Sequence, residues 1–377
     1  MEPFEILKYF EGRRSAMVSA IGELVDIESP TFNEGQSIKL VDTIASDLGS
    51  LAVELDVERV FQPGIGEHLI IRSFQSEERP ILLLGHTDTV HPVGSAAENP
   101  TRIDGDRFYG CGIFDMKANI ILMLEALRFF SLNKIRPARP INLLLSCDEE
   151  TGSQTGRSLV EKEAAAAAEC LVFEPSAGGS LKTGRKGTGV YVIKTHGIPA
   201  HAGLEPERGA SAVLEIARQI DLLHKLNEPE LGTTVNVCLI KGGTASNVIP
   251  ENAECSVDVR FSTMEEAQRM DTAIKSLTSI DERVSLEVIG GINRPPMERS
   301  PGVAKLFERA VEKAGSIGYI LSETQVGGAS DGNFVAAIGT PLLDGLGISG
   351  DGAHTLNEYI NVSDIAPRAA LITMMLM

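Results

Sequence analysis

Apolar positions between residues 4 and 27 recur with helical spacing: Phe4, Leu7 and Phe10, then Met17, Ile21, Leu24 and Val25. The segment SPTFNEG breaks this pattern, and a second helix is predicted over about 36–48. VELDVERVF and HLIIRSF, rich in β-branched residues, read as strands. Three short, nearly continuous apolar runs follow: ILLLGH (81–86), INLLLSC (141–147) and CLVFE (170–174). Such runs belong to strands covered on both faces, as at the centre of an α/β sheet. The helical pattern MKANIILMLEALRFFSL (116–132) separates the first two. SLVEKEAAAAAE, whose alanine tract strongly favours helix, separates the second and third.

The pattern changes near residue 182. KTGRKGTG is basic and glycine-rich, and GVYVIKTHG, TTVNVCLIKGG, ECSVDVRFS and VSLEVIGG then alternate as half-exposed strands do. Two amphipathic helices, ASAVLEIARQIDLLHKL (210–226) and MEEAQRMDTAIKSL, lie between them. The order β-α-β-β-α-β predicts a compact α+β unit, closed by GGINRPP at 290–296. From 300 the earlier style resumes: a helix (VAKLFERAVEKAG), a short strand into GGASDGNF, a strand near PLLDGLG, and the loop GDGAHTLNEY. The expected architecture is therefore α/β, a mixed sheet with helices on both faces built from 1–182 and 295–377. An α+β domain is inserted at 183–294.

Composition narrows the partners. Lys and Arg number 34 against 52 Asp and Glu, a net charge of −18 that repels phosphate backbones and anionic lipid, so neither nucleic acid nor membrane is expected. Tryptophan is absent and aromatics make up 5%, which argues against a base-stacking surface. No apolar run approaches the roughly 20 residues of a membrane span, and the N-terminal segment lacks a basic start followed by an apolar core. The five cysteines are scattered, with no C-x-x-C, as expected of reduced thiols in a cytoplasmic protein.

In open α/β sheets, ligands gather beyond the carboxyl ends of the strands. The first central run ends in His86 and Asp88, the second in Asp148, Glu149 and Glu150, the third in Glu174. YGCGIFDMK places Asp115 ahead of a helix, and His354 sits in a glycine-rich loop. Two imidazoles and several carboxylates at one sheet edge would repel each other without a cation, and this donor set suits Zn²⁺ or Mn²⁺. Taken singly each residue has a plainer reading. Asp115 could cap the helix after it, the glutamate pair could be solvated, and His354 could be an ordinary loop histidine. Three buried strands each ending in a ligand-type residue favour the metal reading. His91 is given no role.

GHTDTVHP, GCGIFDMKA, SCDEETGS, FEPS, PAHAG and GAHTLNE, in this order, resemble the M20 family of dinuclear zinc hydrolases, over nearly the whole chain. FEPS, the RKGTG entry into the insert and DVR point toward its glutamate carboxypeptidase branch. The resemblance implies that 1–182 with 295–377 form the catalytic domain and 183–294 a dimerisation or lid domain, giving a homodimer. It implies two Zn²⁺ per subunit, with Co²⁺ or Mn²⁺ as substitutes. Asp115 would bridge them, His86 and Glu174 would complete one site, and Glu150 and His354 the other. Asp88 would stand behind a histidine ligand and orient it. Glu149 would be the general base, pointing away from Glu150 because neighbours on an extended segment face opposite sides. His201 would donate to the oxyanion, across the dimer. Arg260 would clamp a substrate α-carboxylate, and Asn247 and Gly328 would also touch substrate. The implied substrate is a peptide or N-acyl amino acid, cleaved at the amide of a C-terminal, glutamate-like residue. Deacylation of acetylornithine or succinyl-diaminopimelate is the alternative.

Two other readings compete. GASDG (328–332) matches G-x-S-x-G, with Asp351 and His354 following in the order of a Ser-His-Asp α/β-hydrolase. That reading leaves His86, Asp115, the glutamate pair and Glu174 idle. A non-catalytic binding protein on a hydrolase fold would be expected to have lost ligands or base, and here the set is complete.

Overall fold

A computed structural model describes residues 1–49 and 51–377. The apolar runs at 81–86 and 141–147 become adjacent parallel strands, Ile81–His86 and Ile141–Ser146, every residue of both buried. They lie inside a six-stranded sheet ordered Leu55–Gln62, Gly66–Ser73, Ile141–Ser146, Ile81–His86, Glu169–Val172, Leu342–Leu343. The last four run parallel and the first two antiparallel, so the sheet is mixed. Alternate residues explain the double burial. Leu83, Leu143 and Leu171 join one large apolar cluster with Phe10, Phe129 and Leu371. Leu82, Leu84 and Leu144, facing the other way, are equally buried, beside the helix Arg157–Ala166. Each such side chain contributes roughly 1.5–3 kcal/mol when fully covered.

Three helices pack together on the first face: Pro3–Val25, Ala118–Asn133 and Ile365–Met375. Tyr9, Phe10, Phe129 and Phe130 interlock there edge-on, except for a stacked Phe10–Phe129 pair. Phe4, counted in the apolar stripe of the first helix, instead faces outward. The helix Glu34–Leu48 begins where Asn33 accepts from the Gln36 N–H. The alanine tract ends sooner than expected, at Ala166. The Arg79 guanidinium takes the carbonyls of Ala165, Ala166 and Ala167, and the chain turns into the strand from Glu169. The helix expected from Met116 starts at Ala118, after an irregular turn over Ile113–Lys117. A small antiparallel sheet not foreseen from sequence orders Gly350–Asp351, Tyr359–Asn361, Arg107–Tyr109 and Arg102–Asp104.

The chain divides into two compact units, Met1–Gly184 with Arg299–Val326 and Ser330–Met377, and Arg185–Glu298 with Gly327–Ala329. The second unit has a four-stranded antiparallel sheet ordered Thr234–Gly242, Asn252–Phe261, Gly187–His196, Ser285–Arg294. The helices Ala212–His224 and Met264–Lys275 pack on it, their N-termini capped by Ser211 and Thr263. Burial along Asn252–Phe261 alternates strictly, with Val257, Val259 and Phe261 inside. Among the described residues no helix is long and apolar enough to cross a membrane.

Candidate metal centre

His86 is the last residue of its strand and is almost wholly buried. Its Nδ1 lies 3.0 Å from the Asp88 backbone oxygen. A carbonyl can only accept, so Nδ1 carries the proton and Nε2 is turned to the cluster. Nε2 stands 3.1 Å from Asp115 Oδ1 and 3.6 Å from Glu174 Oε1. His354 offers its Nε2 from the opposite side, 3.5 Å from Asp115 Oδ2 and 3.2 Å from Glu150 Oε2. Each oxygen of Asp115 thus faces a different imidazole. The helix-cap reading of Asp115 fails for the same reason: the helix that follows has no side-chain cap, and this carboxylate is turned toward the histidines.

Glu149 and Glu150 do not lie on an extended segment, as the sequence reading supposed. They open a 3₁₀ turn, Glu149–Thr151. Successive side chains there diverge by about 120°, less than the reversal from face to face along a strand. Ligand-type atoms of His86, Glu149 and Glu174 come within 4.8 Å of one another, and so do those of His86, Asp115 and Glu150. The Asp88 carboxylate holds the turn in place. It accepts from the Glu149 N–H at 3.2 Å, the Glu150 N–H at 3.1 Å and the Thr31 hydroxyl at 2.7 Å. Its distance to His86 Nδ1 is longer, 3.5 Å. Orientation of His86 comes chiefly from the Asp88 backbone carbonyl, while the carboxylate fixes the glutamate pair.

The donor set fits divalent cations: two imidazoles, several carboxylates and no thiolate. Glu150 Oε1 is buried with no hydrogen-bond partner, an acceptor that a cation would satisfy. Without a cation, protons fill the gap. Burial opposes charge on His86, yet hydrogen bonds to Asp115 and Asp88 raise its pKa well above 6.5. Hydrogen bonds to Asp115 and Glu150 raise that of His354 to about 10. Burial works against the Asp115 carboxylate, but its bonds to both histidines hold its pKa below the usual range, while burial raises that of Glu150.

A pH dependence follows. Both imidazoles have folded-state pKa values above the ordinary 6.5, so in the metal-free protein their stabilisation is complete below 6.5 and is lost as pH rises, for His354 through about 10. A cation needs the neutral imidazoles and competes with those protons. The rise in Tm on adding zinc should therefore grow between roughly pH 6 and pH 8.5, as read by thermal scans with and without the metal. A zinc shift that is flat or shrinks over that range would contradict this site.

Other residues singled out from sequence lie elsewhere. His201 is exposed in the second unit, its Nδ1 accepting from the N–H groups of Gly203 and Leu204 at 3.1 and 3.2 Å. Arg260 projects from the face opposite Val259 and Phe261, and grips Asp258 through Nε and Nη2 at 2.9 and 2.8 Å. Asn247 gives its carbonyl to the Ala202 N–H, and Gly328 gives its carbonyl to Arg185. The G-x-S-x-G reading does not survive. Ser330 is fully buried and its hydroxyl donates to Asp344 at 3.0 Å, the strand before it, Glu323–Val326, belongs to a two-stranded sheet, and His354 sits with Asp115 and Glu150. Sequence reasoning passed over Thr31 and Glu358. Both stand in quoted motifs, SPTFNEG and GAHTLNE, but their partners are far away in the chain.

Residues 82–377 match the sequence profile of peptidase family M20/M25/M40. The chain belongs to that family. The resemblance read from the motifs therefore holds, and the protein is an M20 family metallopeptidase, a hydrolase that works with metal ions. Carboxypeptidase G2 of Pseudomonas sp. (strain RS-16) is 28% identical over 374 residues, covering 96% of this chain and 89% of that protein. Succinyl-diaminopimelate desuccinylase of Delftia acidovorans is 30% identical over 318 residues, covering 78% and 81%. Among solved structures, aminopeptidase PepT of Bacillus cereus superposes with a TM-score of 0.76 at 23% identity, covering 96% and 98%. That likeness shows that the two chains share a fold.

Proposed function

We propose that this M20 peptidase carries two zinc ions per subunit, replaceable by cobalt or manganese, and hydrolyses the amide joining an acyl or peptidyl group to a C-terminal amino acid. A glutamate-like residue is favoured. The observation that carries the reading is Asp115, with one imidazole at each carboxylate oxygen. One cation would be held by His86, Asp115 and Glu174, the other by Asp115, Glu150 and His354. When bound, such a pair polarises the scissile carbonyl and acidifies the attacking water.

The chain's own groups do the rest. Glu149 takes the proton from that water as its oxygen attacks the carbonyl carbon, and returns it to the amine as the C–N bond breaks. Asp88 holds the backbone of the glutamate turn, so Glu149 and Glu150 keep their separate aims. His201 is assigned to the developing oxyanion, a contact whose loss typically costs about 10²–10³ in kcat. Arg260 is assigned to the substrate carboxylate, exchanging Asp258 for it in a two-point bond suited to guanidinium. Asn247 and Gly328 are assigned supporting substrate contacts.

We assign the Arg185–Glu298 unit to dimerisation. Thr234–Gly242 is an edge strand of its sheet and exposes Leu239 and Ile240, at 62% and 56%, beside unpaired backbone. Such an edge invites pairing with a second copy. Desuccinylation remains the second reading, supported by the 30% identity to the Delftia desuccinylase.

A screen of N-acyl amino acids, dipeptides and N-succinyl diamino acids with zinc-loaded enzyme, read by amine release, separates these readings. Release of a C-terminal glutamate, abolished by chelator and restored by zinc, is expected. Turnover that resists chelator and yields to a fluorophosphonate would contradict it.

A further inference from the structure

Glu358 is a fully engaged carboxylate beside the metal centre, and no step above uses it. It is completely buried. Oε1 accepts the N–H groups of Phe114 and Asp115, both at 2.8 Å. Oε2 accepts the Gly112 N–H at 2.9 Å and lies 2.8 Å from His91 Nε2. A carboxylate has about four lone-pair sites, and here two donors reach each oxygen. Three of the four come from the loop that presents Asp115.

The backbone of Glu358 joins the same two segments. Its carbonyl accepts from Gly110, and its N–H donates to Thr355, the neighbour of His354. Pairing then continues through Tyr359 with Tyr109 and Ile360 with Phe108. Asp115 and His354, 239 residues apart in sequence, are thus tied through one side chain and one short sheet. His354 itself adopts a left-handed backbone conformation, φ 65°, uncommon outside glycine, so its loop needs external support. His91 closes the arrangement: it is buried, and its ring donates to the last open position on Glu358.

We infer that Glu358 is a positioning residue, locked by His91, that sets the spacing of Asp115 and His354 and so controls occupancy of the cation position between them. This rests on the two-metal reading given under Proposed function. With its oxygens taken by His91 and the N–H groups of Gly112, Phe114 and Asp115, Glu358 acts through the backbone of Asp115 and not as a ligand. Its charge matters as well as its shape. A glutamine of the same size would keep one acceptor oxygen and turn an amide NH₂ toward two N–H donors.

The test compares wild type, E358Q, H91L and H91Q, each loaded with zinc and desalted, for zinc per chain, zinc affinity by chelator competition, and Tm with and without zinc. Wild type is expected to keep two zinc ions. E358Q is expected to keep one, with affinity for the other lowered about 10–100-fold, the usual effect of removing a group that orients a ligand. H91L should weaken the same ion, and H91Q, which can still donate, should restore it. A purely architectural role would lower Tm equally with and without zinc and leave zinc affinity unchanged, and that result overturns the inference. Should E358Q not fold, the H91L and H91Q pair decides the matter alone: equal zinc affinity in both overturns it. Wild type binding no zinc would overturn the two-metal reading, and this inference with it; wild type holding two while all variants hold two equally well removes only the inference.

Discussion

Replacing Glu149 by glutamine should lower kcat by about 10²–10⁴-fold, the usual contribution of a general base, with both zinc ions still bound. The change is nearly isosteric, so the turn Glu149–Thr151 and its bonds to Asp88 should persist. KM should move little, because the proton transfer is made only on the way to the transition state. Product formation in single turnovers should slow by the same factor. Metal analysis separates this outcome from simple loss of the centre. Near-wild-type turnover with full metal content would show that another group takes the proton. Turnover lost together with zinc would place Glu149 among the ligands.

Asp115→Ala should have the largest effect on the metal centre itself. This carboxylate faces both His86 and His354, so its removal would strip a donor from both cation positions and withdraw the negative charge that offsets the imidazoles. The variant should retain less than one zinc per chain after desalting, and activity should fall below detection. Stability should respond in a pH-dependent way. The imidazolium forms lose their closest partner, so the metal-free variant should be destabilised most below the ordinary histidine pKa of 6.5. A variant that keeps two zinc ions would rule out a bridging carboxylate at this position.

Much of this site was legible because the ligand-type residues end buried runs. ILLLGH and INLLLSC carry the signature of central strands, and a strand's carboxyl end points where ligands gather in such sheets. The insert was legible because its strands alternate, as Asn252–Phe261 does. The C-terminal helix Ile365–Met375 was missed because every one of Ala369 to Met375 is buried, and an all-round apolar helix has no amphipathic period to detect. The small sheet escaped because its strands are two or three residues long. The extended geometry expected for the glutamate pair was wrong, because Glu149 and Glu150 open a 3₁₀ turn. Asp88 and Glu358 show a different limit. What each does depends on backbone N–H groups presented by loops tens to hundreds of residues away, and no local pattern records that.

Crystals soaked in zinc and measured on both sides of the zinc absorption edge test the central claim most directly. The account predicts two anomalous peaks roughly 3.5–4 Å apart, one on each side of the Asp115 carboxylate, the first reached by His86 and the second by His354. A featureless map between those histidines, at zinc concentrations that restore activity, would contradict it.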